Sequence, residues 1–323
     1  AFSNTLMGYA LENKMDYFLD VPKSTVSWAK DFHVASCPNI FAVKDKMKID
    51  WIKDHAVLRA GIEFADYRYS TKGKKLVILD MNSDDMNDPN TARTEPIDET
   101  VSNYLTSGYI ENKFSFGGFL FVPGVHSEHL SRTGDTTVDP RGVLSYTLPT
   151  NTTVGVAGGK YSKFMQPNLH FYAVSFAPEI AADKNLKPQK AYHRSVSIEQ
   201  KVSEYTFKVE GFYNNFWDVM ERDRYTDSTG TVYNVFANRG KAKIKGIEVM
   251  AKISDEHEEG LFGWISYTYN TSKYIRNVND PTDKDSHEWL NSYWEMIHVA
   301  KAVAGYTAGR HTFSAKFQYN TAL

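Results

Sequence analysis

The sequence holds a single cysteine, Cys37, in 323 residues, so it contains neither an internal disulfide framework nor a multi-cysteine metal site. Long apolar runs are missing as well. Mean hydropathy is −0.47, and no stretch approaches the about 18 apolar residues of a membrane-spanning helix. No excess of one charge exists: 37 basic residues face 39 acidic ones, for a net charge of −2. That balance excludes the basic footprint of a nucleic-acid binder. The opening Ala1-Phe2-Ser3-Asn4 lacks the basic and apolar regions of a signal peptide, so the chain is read as starting inside something longer. No G-x-S-x-G, H-E-x-x-H or P-loop spacing occurs, so neither enzyme chemistry nor a cofactor is expected.

Aromatic residues, by contrast, are abundant: 20 Tyr, 19 Phe and 6 Trp. Alternation with a period of two recurs along the chain and marks about thirteen strands. Over residues 311–320, Phe313, Ala315, Phe317 and Tyr319 share one face, and Thr312, Ser314, Lys316, Gln318 and Asn320 the other. Residues 205–214 set Phe207, Val209, Gly211 and Tyr213 against Thr206, Lys208, Glu210 and Asn214, with Phe212 breaking the polar face. Segments 58–64 and 247–253 alternate likewise and place Arg59, Glu63, Glu248 and Lys252 at mid-strand. A face carrying such charges must meet water, because a dry interior would not tolerate them unpaired.

The connections alternate in length. Short links fall at Lys53-Asp54-His55, Ser115 to Gly118, Pro149-Thr150-Asn151, Val202-Ser203-Glu204, Ser254 to Gly260 and Ala308-Gly309-Arg310. Long polar links fall between them, at roughly 16–38, 70–101, 129–139, 165–190, 216–239 and 272–296. An antiparallel up-and-down transmembrane β-barrel has this rhythm, with short periplasmic turns and long extracellular loops. Sandwiches and propellers do not. The expected class is therefore all-β, one barrel segment over residues 1–323. Its first strand (about 4–14) and last (about 311–321) run the same way, so the set cannot close by itself and further strands are expected on both sides.

Six phrases resemble those of TonB-dependent receptors of the outer membrane. His55-Ala56-Val57-Leu58-Arg59-Ala60-Gly61-Ile62-Glu63 is similar to a family strand carrying Gly-x-Glu, and Tyr109-Ile110-Glu111-Asn112-Lys113 with Val122-Pro123-Gly124-Val125-His126 resembles a family hairpin. Asp139-Pro140-Arg141-Gly142-Val143-Leu144-Ser145-Tyr146, Asn185-Leu186-Lys187-Pro188-Gln189-Lys190, Arg239 to Glu248, and Phe317-Gln318-Tyr319-Asn320-Thr321 follow in family order. The resemblance covers residues 45–323. It implies a barrel of about 22 strands, with about six lying before this chain and about three after it, and a plug domain and energy-coupling box outside it. It also implies a bacterial outer-membrane location, contact with lipid and lipopolysaccharide, and partnership with the TonB complex through the missing N-terminal region. The implied activity is active import of a scarce nutrient: a siderophore, cobalamin, glycan or peptide. The alternatives are a passive porin or specific channel, and a soluble all-β carbohydrate-binding protein or enzyme.

Ligand capture would use the loop aromatics Tyr161, Phe164, His170, Tyr172, Trp217, Tyr225, Tyr233, Trp289, Tyr293 and Trp294, since aromatic walls with a few polar groups suit such ligands. Loop packing or an outer aromatic girdle would use the same residues. Asp80, Asn82 and Asp84 space their oxygens like the start of a calcium loop, but Asp85 replaces the turn glycine and Thr91 the closing glutamate. A solvated acidic loop is the better reading. His126 and His129 form H-x-x-H, yet on a strand they face opposite sides and cannot share an ion. Lys72, Lys74 and Lys75 offer a basic loop start for lipopolysaccharide phosphates.

Overall fold

The computed structural model describes residues 2–12, 15–18, 33–78, 92–164, 186–226, 232–253, 259–279, 283–293 and 295–321. Thirteen long strands make one antiparallel meander: β1 (Phe2–Glu12), β3 (His33–Ile52), β4 (Ala56–Ile78), β5 (Ala92–Phe116), β6 (Phe119–Leu130), β7 (Thr136–Thr147), β8 (Thr152–Lys163), β9 (Gln189–Val202), β10 (Tyr205–Thr226), β11 (Val232–Ile253), β12 (Gly260–Ile275), β14 (His298–Ala308) and β15 (His311–Asn320). Each pairs with its neighbour in sequence. Two short strands, β2 (Met15–Phe18) and β13 (Leu290–Asn291), add to β3 and β12. β1 and β15 form the two edges of the sheet.

Register carries one face across the sheet. Phe121 lies opposite Leu144, then Val156, Val196, Gly211, Ile247 and Tyr269 follow in successive pairs. Apart from Gly211, these residues carry large hydrophobic side chains that are still exposed, Val196 by 60% and Ile247 by 55%. The buried apolar residues are few, and Ala42, Ala56 and Ala65 are among them. A water-soluble fold hides such a face in a core; a barrel turns it to lipid. The opposite face is wet and charged, with Arg59 paired to Glu111 at 3.1 Å, Lys208 to Glu210 at 2.7 Å, Lys44 to Glu63, and Thr268 donating to Glu248 at 3.0 Å.

Glycine and aromatic residues pair across the polar face. Phe212 lies directly opposite Gly246, where a Cβ would stand 2.7 Å from its Cζ and 2.4 Å from the Tyr269 carbonyl oxygen. Tyr109 covers Gly61 in the same manner. The ring fills space the glycine leaves open and shields the bare backbone. Short turns close the other end: Gly117 and Gly118 both have positive φ, as a two-residue type I′ hairpin requires, and Asp54, Asn151 and Ser203 take left-handed conformations at theirs.

Three expected loops are shorter than their sequence suggests. Residues 70–101 and 216–239 are mostly strand, because β4, β5, β10 and β11 continue well past the membrane layer. Out there both faces meet water, so the alternation that marks a strand disappears. Residues 129–139 contract to a link at 131–135, where the Leu130 and Asp135 backbones bond.

Candidate ligand-binding mouth

On the polar face of β7, β8, β9 and β10 lies an aromatic and cationic shelf. Gly159 is paired with Arg141 on one side and His193 on the other. A Cβ there would stand 2.6 Å from the Arg141 Cβ and 3.2 Å from the Tyr161 ring, so the glycine lets both side chains close over the strand. Tyr161 packs on His193 at 4.8 Å, and His193 meets Phe216 edge-on at 5.9 Å. The Nε2 of His193 is buried and has no hydrogen-bond partner among the described residues. Beside the shelf, Asp139 is 4% exposed and accepts from the Ser162 amide and hydroxyl at 2.8 and 2.7 Å, which fixes the end of β8.

Above β10–β12 the chain builds a folded platform. Asp223 is 2% exposed, accepts from the Asn279 amide at 2.6 Å and pairs with Arg239. Glu295 reaches back to accept from the Ser272 amide, and Ser292 donates to the Ser272 carbonyl at 3.0 Å. Arg276 holds Asp283 at 2.7 Å. Nearby, burial pushes the Glu221 carboxyl above its ordinary range; the Arg276 charge opposes this and Asp283 adds to it. Where β10 bulges after Phe216, Lys190 pairs with Asp218 at 2.7 Å and Asn238 bonds both Asp218 and Lys187.

Of the residues expected to bind ligand, Tyr161 alone among those whose side chains are described sits on this shelf. Phe164 follows it and is buried at 9% exposure. Trp217 lies on the apolar face, edge-on to Tyr192 at 5.1 Å, and Trp289 lies under the Lys243 ammonium at 4.1 Å, also on the apolar side. Both belong to the outer wall. Tyr293 is 73% exposed and packs edge-on against Tyr274. Tyr225 and Tyr233 lie opposite one another in β10 and β11, where only the backbone is described. His170, Tyr172, Trp294, Asp80, Asn82 and Asp84 lie outside the described residues. His126 and His129 do face opposite ways: His126 lies 3.7 Å from Glu128, and His129 bonds Thr136. Lys72 is paired with Asp98 at 3.2 Å. Sequence reading passed over Arg141, His193 and Phe216; the available signal was that Arg141 and His193 fall on the polar phase of the two strands pairing with the one that bears Tyr161, with Phe216 on the same phase one strand further on.

No curated protein sequence matches the chain. Among solved structures, it resembles a ferric enterobactin receptor from Pseudomonas aeruginosa (TM-score 0.68, 12% identity, 98% of this chain and 46% of that one). It also resembles a siderophore receptor from Acinetobacter baumannii (0.64, 15%, 98% and 47%) and a copper transporter (0.60, 14%, 98% and 49%). At these identities the likeness shows the fold, and the chain spans about half the length of each of these structures. The family model described as TonB dependent receptor-like, beta-barrel matches residues 26–322. Matched over nearly its whole length, and built as a meander with one apolar and one wet face, this chain belongs to the TonB dependent receptor-like β-barrel family of the bacterial outer membrane.

Proposed function

We propose that the chain forms wall and mouth of an active importer that captures a scarce nutrient at its extracellular side and passes it inward under TonB drive. The Arg141–Tyr161–His193–Phe216 shelf carries the reading. Its aromatic surfaces and single guanidinium, on the wet face near the extracellular end, suit an anionic aromatic metal chelate, with planar stacking for the rings and a bidentate donor for the oxygens. The similar solved structures of a ferric enterobactin receptor, a siderophore receptor and a copper transporter support the same direction. Cobalamin, glycans and peptides are the competing ligands. Contact with lipopolysaccharide belongs to the same reading.

The test is a binding panel on the full-length receptor: a ferric catecholate chelate, cobalamin, an oligosaccharide and a short peptide, read by tryptophan fluorescence. The chelate is expected to bind tightest, and Tyr161→Ala or Arg141→Gln to weaken it about tenfold, the loss of roughly 1.4 kcal/mol. Equal affinity in wild type and both variants would remove the shelf from the site.

A further inference from the structure

Between β9 and β12 the apolar face opens into a groove with two cations at its upper end. The groove, about 670 Å³, runs over Gly211 between Val196 and Ile247, with Tyr213 and Tyr269 beside it and Arg194 and Lys245 at its rim. All of these follow the outward phase: Val196 and Ile247 flank Gly211, and Arg194 and Lys245 flank Tyr213 in the next outward row. The hollow is real space, since a Cβ on Gly211 would touch only the Val196 Cγ2 at 3.9 Å. One row further along, Lys243 lies opposite Lys273. None of these four cations forms an ion pair among the described residues, whereas Lys72 is already neutralised by Asp98.

We infer that this groove holds the lipid A portion of lipopolysaccharide, an acyl chain lying along Gly211 and a glucosamine phosphate held between Arg194 and Lys245. Depth argues for that lipid. From the turn at Val202 to Arg194, and from Ile253 to Lys245, the strands climb about 20 Å along the membrane normal, near the top of an apolar band about 25 Å tall. The cations therefore emerge at the level of outer-leaflet headgroups, and that leaflet is built of a phosphorylated glycolipid. Arg194 and Lys245 stand two strands apart, about 10 Å between backbones, so their long side chains can converge on one phosphate or take neighbouring ones. Lys243 and Lys273 add positive charge immediately above. A cation on the lipid side of a barrel is costly near the midplane and nearly free at the interface, and an anionic headgroup turns the remaining cost into an attraction.

The inference rests on the barrel's place in the outer membrane and is independent of which nutrient is carried. Its test uses the full-length receptor in detergent, titrated separately with hexa-acylated lipid A and with phosphatidylglycerol and followed by native mass spectrometry. Lipid A is expected to bind more tightly than phosphatidylglycerol. The double variant Arg194→Gln/Lys245→Gln should weaken lipid A at least tenfold, and Gly211→Leu, which fills the groove without changing charge, should do so as well. Lys252→Gln, on the wet face, should change nothing. Folding is checked by heat-modifiable mobility on gels; if Gly211→Leu does not fold, the charge variant decides alone. Unchanged lipid A affinity in the charge variant, or phosphatidylglycerol bound as tightly as lipid A, overturns the assignment. Nutrient binding should persist in the charge variant, so failure here is distinct from failure of the import reading.

Discussion

At the scale of single residues, Phe212 looks misplaced on the polar phase of β10 until Gly246 is seen opposite it. The ring and the missing side chain are one unit. Replacing Gly246 by Val places methyl groups where the Tyr269 carbonyl and the Phe212 ring already stand, with overpacking of about 1–3 kcal/mol. Phe212→Ala should cost a comparable amount by uncovering the backbone, and the double variant should cost less than the sum of the two. A double-mutant cycle in urea, with the receptor folded in lipid vesicles, measures this; full additivity would break the pairing argument. Asp45 is a second oddity. It shares the outward phase of β3 with Val43 and Met47, it stands opposite Leu6 and Ile62, and its Oδ1 has no hydrogen-bond partner among the described residues. Asp45→Val should therefore stabilise the membrane-inserted receptor by about 1 kcal/mol, seen as a higher urea midpoint. Neither was legible in the sequence, where Phe212 read only as a break in a pattern and Asp45 carried no signal. Their partners lie on other strands, and register is a property of the folded sheet.

At the scale of elements, the short turns and the strand phases were readable, because a period of two survives wherever one face meets lipid and the other water. The extracellular ends were not. β10 and β11 keep pairing to Thr226 and Val232, through sequence that reads as loop, since water on both faces removes the selection for alternation. The platform is held by buried carboxylates on backbone amides, Asp223 on Asn279 and Glu295 on Ser272, which no motif announces. The shelf was half legible for the same reason: Tyr161 stood out as an aromatic, but Arg141, His193 and Phe216 join it only through register. Glu221 makes the platform's stability depend on pH. Burial raises its carboxyl in the folded state above the unfolded value of about 4.3. A raised carboxyl contributes stability that is fully present below the unfolded value and is lost as pH rises through the folded one. Glu221→Gln should then raise the melting temperature of the extracellular region at pH 7, with the difference from wild type vanishing below about pH 4. Hydrogen exchange of residues 276–293 at the two pH values reads it; a difference that grows on acidification would reverse the sign of the argument.

At the scale of the whole molecule, the two faces of one sheet live in different solvents, and neighbouring residues of one strand should report that difference. Val196 points to the apolar side and Ser195 to the wet side, one step apart along β9. In a soluble sandwich, a lysine at either position would be judged by local packing. In a barrel wall, Val196→Lys puts an ammonium against hydrocarbon at a cost of up to about 2–4 kcal/mol near the midplane, less toward the interface. Ser195→Lys joins Lys208 and Glu210 on a face that already carries charge, and belongs with the surface changes of about 0.5 kcal/mol or less. The asymmetry should appear only with the receptor in a bilayer, measured as urea midpoints in lipid vesicles, and should repeat at Ile247 on β11. Equal costs at Val196 and Ser195 would mean that the exposed apolar face is covered by protein and not by lipid.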